Sequence, residues 1–454
     1  MTFTSWQFGA FTAIVLTLYY SPVFGRLQVP LLVASSILFY AFDQPSLLVL
    51  LLVAVLGTHA FLILSYRNRQ VWLPLGIAFN LLLLAFFKYK FLFLNLPIQT
   101  NSVVGDILLN APLPIGISFF VFHNISLMVD LTKADRKQPS VAETFLYIIF
   151  FPQLVSGPIT RAEVFMPQIV RKRFADIDVV EAAKWIIIGY FFKLFVANNL
   201  NEITANMDYP AFGLVQAADR WLLVFTYSAQ IYADFFGYSS IAVGLGLLFG
   251  YRLADNFNLP YKSKSFSEFW TRWHISLSTW LRNYLYIPLG GNRHGTVRTC
   301  INLMIVMSLG GLWHGAGLSY LVWGFLHGGL LVVERPFLPL LNKISHPALA
   351  LARALVVFVC VSFLWIFFKL PSFEHAASYI YGMLFGVTNL ENPAKVYRTL
   401  AIVYALPVVI QHTSDLRGLL ATKCRHVEPF AYGALVALMF VEAGPDSSFI
   451  YFQF

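Results

Sequence analysis

Charge is what this sequence has least of. Only 12% of its 454 residues are Asp, Glu, Lys or Arg, against about a quarter in an ordinary soluble domain. A soluble fold of this length could not cover its surface with so few charges. The shortage excludes a cytosolic globular enzyme and a disordered chain. It also excludes a nucleic-acid binder, despite the formal net charge of +9. Cysteine is scarce too. Cys300, Cys360 and Cys424 are widely separated and lie near apolar runs, so they make neither a disulfide framework nor a zinc pattern. No basic residue precedes Arg26 and no small-residue cleavage site follows, so the first apolar run is expected to stay as a span. Soluble domains, long linkers, low-complexity tracts and internal repeats are absent as well, which leaves one integral-membrane domain over 1–454.

What is abundant is apolar. Hydrophobic residues make up 58% of the chain and aromatics 17%, and the mean hydropathy is +0.69. The class that fits is an all-α polytopic membrane protein. A bilayer core of about 30 Å needs about 20 apolar residues per helix. Such stretches run near 8–25, 28–43, 46–65, 73–96, 113–131, 181–200, 221–250, 299–334 (long enough to cross twice), 354–371 and 376–389. Weaker ones lie near 400–413 and 429–443.

Lys and Arg in short loops orient the chain, because positive loops stay cytoplasmic. The N-terminus is expected outside, the Arg26 turn and the Arg67–Arg69 loop inside, and the loop at 97–112, which has no Lys or Arg, outside. Lys133, Arg136 and Lys137 return inside. Both ends of 143–158 then look cytoplasmic, and with Pro152, Gly157 and Pro158 that stretch reads as a re-entrant or interfacial element. The loop at 201–219 holds Glu202, Asp208 and Asp219 and suits the outer face, whereas 252–298 is long, basic and cytoplasmic. After Arg353 the rule stops working: Lys395, Arg398, Arg417, Lys423 and Arg425 cannot all be placed inside with simple spans.

Within 252–298, Ser265-Phe266-Ser267-Glu268 matches a capping box. It is expected to start an amphipathic helix running to about Tyr284, ended by Pro288 and Gly290-Gly291. Phe266, Trp270, Trp273, Leu277, Trp280, Leu281 and Tyr284 share one stripe at 3- and 4-residue spacing, with Glu268, Arg272 and Arg282 roughly opposite. Such a helix belongs at the interface or packed under the bundle, not across the bilayer.

Polar residues inside spans are costly, so each is a candidate functional site. His314 lies in Gly310-Gly311-Leu312-Trp313-His314-Gly315-Ala316-Gly317, midway along an apolar stretch with Arg298 at one end and Arg335 at the other. Both ends are expected to be cytoplasmic, so the chain should turn near the glycines. Backbone that turns at depth must be buried in protein or line a cavity. His314 there is either a general base or a hydrogen-bonded brace for the turn. His274, at the edge of the aromatic stripe, is either an interfacial histidine reaching toward water or one lining a shared path with His314. Neither has a second His, Asp or Glu at i+3 or i+4, so no metal site is expected. His327, His123 and His59 read as packing or hydrogen-bonding groups. Gln230, Tyr232, Asp234 and Tyr238 make a polar patch in the 221–250 stretch, either a tunnel wall or a set of interhelical hydrogen bonds, with Lys193 as a partner for the carboxylate. No nucleophile elbow, P-loop or dinucleotide fingerprint occurs in a matching context.

Four blocks then carry a resemblance. They are Leu113-Pro114-Ile115-Gly116-Ile117-Ser118-Phe119, Phe151 through Pro158, Gln230 through Gly246, and the run from Phe269 through Trp273-His274 and Asn292-Arg293 to Gly311-Leu312-Trp313-His314-Gly315. With the C-terminal Phe449-Ile450-Tyr451-Phe452-Gln453-Phe454, the sequence resembles the membrane-bound O-acyltransferase superfamily, in its branch of bacterial alginate O-acetyltransferase membrane components. The resemblance implies a ring-like fold of about 11 transmembrane helices around a central tunnel, with re-entrant and interfacial helices. It puts the superfamily's near-invariant histidine at His314 and the branch's second histidine at His274, both catalytic. It implies donor-binding roles for Arg272, Trp273, Arg282 and Asn283, and a tunnel lined by Gln230, Asp234, Tyr238, Ser278 and Trp313. The branch usually carries Asp where this chain has Asn283, and often Ser and Asp where it has Phe236 and Ser240.

The activity so implied is acyl transfer, acetyl above all, from a cytoplasmic thioester such as acetyl-CoA across the bacterial inner membrane. It serves O-acetylation of an extracytoplasmic polysaccharide by a periplasmic partner, with no tightly bound cofactor. Arg272, Arg282, Arg293 and Lys262 supply the positive potential that an anionic donor needs. Two alternatives stay open: D-alanyl transfer to teichoic acid, and a transporter or flippase of a lipid-linked intermediate. The latter should show paired half-structures around a midplane site, which this sequence lacks.

Overall fold

The structure is a computed structural model that describes residues 1–43, 45–93, 112–133, 137–155, 157–341, 343, 346–386, 395–414, 426–447 and 449–450. Residues 97–111 of the expected outer loop, Arg136, Ser156, Arg417, Lys423, Arg425 and residues 451–454 lie outside the described residues. The chain forms two compact units, one of Met1–Ile186 with Ile241–Ala254, the other of Ile187–Ser240 with Asp255–Phe454. Among the described residues there is no strand, only an isolated bridge between Phe257 and Trp273.

Each expected span with described residues is helical. In the first unit Trp6–Tyr20, Gln28–Asp43, Leu48–Arg67, Arg69–Phe93 and Ile117–Leu131 follow one another, with Arg26 in the first turn and Arg67 and Arg69 flanking Asn68 in the third. Polar side chains join three of them. Asn124 Nδ2 donates to Asn80 Oδ1 at 2.6 Å, and Asn80 Nδ2 donates to Thr58 Oγ1 at 3.0 Å. In an apolar surrounding such bonds and close packing hold helices together, since burial of alkyl surface gives little preference for protein over lipid. The 143–158 stretch is built as a re-entrant or interfacial element would be. Its helix Val141–Ile149, opened by a capping box between Ser140 and Glu143, has 9 residues, far fewer than a crossing needs. A single buried turn, Phe151–Leu154, follows.

The Ala217–Leu248 helix, which belongs to the second unit as far as Ser240, is the longest element among the described residues, at 32 residues. The long apolar stretch at 299–334 is two helices, Gly295–His314 and Leu318–Glu334, with the turn at the glycines as expected. Pro347–Lys369, Phe373–Phe385, Lys395–Thr413 and Glu428–Val441 complete it, so the two weaker candidates are helices as well. Among the described residues, five helices are long and apolar enough to cross a membrane and four shorter apolar ones accompany them.

Two readings need correction. The helix expected from 266 to 284 is broken: Phe266–Arg272 and Ile275–Leu281 are separate, and Arg282–Tyr286 winds more widely as a π-turn. The capping box is half formed. Ser265 Oγ accepts the Glu268 amide at 2.9 Å, but Glu268 accepts the Lys264 amide and bonds Arg272 instead of closing on Ser265. The free amides of Phe266 and Ser267 donate to the Glu334 carboxylate at 2.8 and 3.1 Å. A distant acid thus does what the local glutamate was expected to do.

At Arg398 the failure of charge counting after Arg353 also has a physical reason. Arg398 donates to Asp219 at 2.7 Å, and Lys369 donates to Asp208 at 3.0 Å. Both acids sit in or at the edge of the 201–219 loop read as external. A paired cation no longer reports the cytoplasmic face.

Candidate active site

His314 is the last residue of its helix, followed by extended Gly315. The hairpin closes tightly because glycines face each other. A Cβ on Gly311 would lie 2.2 Å from the Tyr320 carbonyl oxygen, and one on Gly324 would lie 2.3 Å from that of Met307. His314 is 4% exposed, ringed by Trp313, Trp323 and Phe368 with centroids at 4.8, 5.3 and 5.0 Å.

His274 sits at the helix break with φ +43° and ψ +53°, the left-handed region that a non-glycine residue rarely occupies. Residues 256–258 hold it there. The Asn258 amide donates to the Arg272 carbonyl at 3.0 Å, and the Ile275 amide donates to the Asn256 carbonyl at 2.9 Å. The Asn256 side chain accepts from Ser276 Oγ and donates to Ser239 Oγ at 2.9 Å. This overturns the reading of His274 as a residue reaching for water: it is 1% exposed. Its ring lies edge-on to Phe235 at 4.6 Å and to Trp313 at 6.3 Å. Burial pushes its pKa down to about 3, so the imidazole is neutral. The structure therefore brings His274, Trp313 and His314 into one aromatic cluster, with Trp313 touching both imidazoles.

The polar patch takes the interhelical form. Lys193 Nζ donates to Asp234 Oδ1 at 2.7 Å, the pairing expected from sequence. Asp234 Oδ2 accepts the Ile450 amide at 2.8 Å, and Lys193 also donates to the Ser447 carbonyl at 2.9 Å. Gln230 accepts from Thr204 and donates to Asn201 at 2.9 Å. Tyr238 stacks on Phe449 at 4.4 Å. The segment after Val441 thus runs back along the Ala217–Leu248 helix, beginning where the Gly444 amide donates to the Leu194 carbonyl at 3.1 Å.

The donor-side residues separate. A cavity of about 390 Å³ is lined by Trp270, Ser278, Arg282, Tyr286 and Arg335, among others. Arg282, expected on the donor side, and Ser278, expected in the tunnel wall, both line it, and Arg335 was noted only as the end of an apolar run. Neither arginine is in an ion pair among the described residues. Arg272 is occupied by Glu268 at 2.9 Å and by the Asn258 carbonyl at 2.9 Å. Trp273 is buried against Phe257, Phe269 and Trp365. Asn283 is half-buried in the π-turn. Sequence reasoning missed Asn256, Phe235 and Phe257, which carry no periodic signal and act only through contacts across the fold. The other histidines are packed or bonded as expected: His59 Nδ1 lies 2.9 Å from Thr144 Oγ1, His123 is edge-on to Tyr147, and His327 stacks on Phe269 and lies edge-on to Trp323. No group of three metal-ligating side chains occurs among the described residues.

Residues 37–374 match the membrane-bound O-acyltransferase family. The chain is 35% identical to the probable alginate O-acetylase AlgI of Pseudomonas putida (strain KT2440), over 83% of this chain and 78% of that one. It is 33% identical to a peptidoglycan O-acetyltransferase of Helicobacter pylori, over 80% and 74%. To a teichoic acid D-alanyltransferase of Bacillus subtilis it is 29% identical over 48% of this chain and 58% of that one. A match of this extent, on an all-α chain with many apolar helices, makes this multi-pass membrane acyltransferase a member of the membrane-bound O-acyltransferase family.

Proposed function

We propose that this chain takes an acetyl group from a cytoplasmic thioester, acetyl-CoA, and moves it across the bacterial inner membrane for O-acetylation of an extracytoplasmic polysaccharide. The observation that carries the proposal is the pair of buried histidines sharing one indole, His274 and His314 about Trp313. Relatives named for alginate and peptidoglycan O-acetylation support an acetyl group and a cell-surface polymer. The shorter match to the D-alanyltransferase supports D-alanyl transfer less.

In this reading His314 removes the proton as an acceptor hydroxyl attacks the thioester carbonyl. The carbon–oxygen bond forms, the carbon–sulfur bond breaks, and the leaving thiolate takes the proton back from the imidazolium. His274, neutral, donates a hydrogen bond to the carbonyl oxygen as charge develops there. Arg282 and Arg335 at the cavity attract the donor's phosphates. An extracytoplasmic acetyltransferase receives the group and passes it to the sugar.

His314→Gln tests this. A general base contributes about 10²- to 10⁴-fold, so polymer acetylation and thiol release from acetyl-CoA should both nearly vanish at equal membrane abundance. Binding of acetyl-CoA should change little, because the imidazole acts on a proton in the transition state. Substantial residual acetylation would falsify the assignment of His314.

A further inference from the structure

A second cavity of the same unit, about 590 Å³, opens among the Ala217–Leu248, Pro347–Lys369 and Lys395–Thr413 helices. We propose that it is a binding site for an anionic phospholipid, with the acyl chains in the groove and the phosphate at Lys262 and Lys264. This inference does not rest on the histidine pair, and it assigns to a lipid phosphate Lys262, which the sequence placed with the donor-attracting cations.

The walls are apolar: Phe225, Leu355, Phe358, Ala405 and Val408 line them. Leu351, Leu355, Ile402 and Val409 are 63%, 54%, 62% and 52% exposed, so their surface is open to whatever fills or covers the groove. Both lysines lie at the cavity, and neither is in an ion pair among the described residues. Among the described residues no Asp or Glu lines it. His412 forms part of the floor, its Nδ1 2.8 Å from the Val408 carbonyl and its ring against Tyr232 and Tyr261. The lysines belong to the basic 252–298 segment read as cytoplasmic, and basic pockets between helices on that side suit anionic headgroups. The volume lies in the range of small-molecule sites. Acetyl-CoA fits less well, because it has no long alkyl chain to occupy the apolar walls. Tyr261 also touches Trp273, with centroids at 6.2 Å, so a bound lipid would brace the wall behind His274.

The test uses the full-length protein, delipidated in detergent. Melting temperature and lipid retained in native mass spectrometry are measured with phosphatidylglycerol and with phosphatidylcholine of the same chains. Phosphatidylglycerol should raise the melting temperature by several degrees and remain bound, and phosphatidylcholine should do markedly less. Lys262→Ala/Lys264→Ala should remove the difference between the lipids. Ala405→Trp, which fills the groove, should remove both responses; should it misfold, the lysine pair, lying at the mouth, still decides. Equal responses to the two lipids in the wild type would overturn the proposal. So would an unchanged phosphatidylglycerol response in the lysine variant, or protection of the wild type by acetyl-CoA but not by phosphatidylglycerol.

Discussion

His274 combines an unfavourable backbone with a buried side chain. A left-handed non-glycine residue costs about 1–3 kcal/mol and persists only where its surroundings hold it. Replacing it separates the two effects. His274→Ala keeps the strain and leaves a void where the imidazole was, so it should lose stability as well as acyl transfer. His274→Gly relieves the strain and should melt above the alanine variant while transferring no more acetyl. Recovery of transfer in the glycine variant would mean that the turn, not the imidazole, matters. The aromatic stripe hid this break. Its 3- and 4-residue spacing continues through Trp273 and Leu277, and what stops the helix is Asn256 and Asn258, upstream in a segment with no pattern. Asp234 was legible for the opposite reason: it and Lys193 are isolated charges in apolar helices, and each demands a partner. Both side chains are about 5% exposed. Removing one partner of such a pair typically costs about 3–5 kcal/mol, whereas replacing both can be near neutral. Lys193→Met should therefore melt well below the wild type, and Lys193→Met/Asp234→Asn should regain much of the loss.

At the scale of elements, the glycine hairpin decides where His314 can stand. The Gly311 and Gly324 backbones meet directly, with the Gly324 Cα 3.0 Å from where a Gly311 Cβ would be. Gly311→Leu should push the two helices apart, at a cost of about 1–3 kcal/mol or more, and lower acyl transfer beyond its effect on abundance. At Gly329, on the second helix, an added Cβ would meet nothing within 4 Å, and Gly329→Leu should be tolerated. Thermal unfolding in detergent beside an acetylation assay distinguishes them. The turn was readable from a Gly-rich run between two cytoplasmic arginines. Which glycines touch was not, because that depends on the rotation of one helix against the other.

For the molecule as a whole, the Asp219–Arg398 and Asp208–Lys369 pairs extend the topology past the point where charge counting stopped. If the 201–219 loop is outside, as its acidic residues lead one to expect, the Lys395–Thr413 helix should start outside at Arg398 and end inside, where His412 approaches Tyr261. Cysteine labelling in intact cells checks this. Leu214, 76% exposed, should react as cysteine with a membrane-impermeant reagent. Ser267, exposed beside the buried Ser265, should react as cysteine only after permeabilisation. The reverse pattern would invert the topology.

The returning segment after Val441 sets an order of assembly. Lys193 and Asp234 are 41 residues apart and can meet as soon as their helices have entered the bilayer. The amide that caps the second carboxylate oxygen is made 216 residues later. While those 216 residues are made, the nascent chain holds an acid only half satisfied within an apolar setting. Helices that insert early must wait in the membrane for a latecomer, and whatever guards the unfinished protein from proteolysis has to act during that interval.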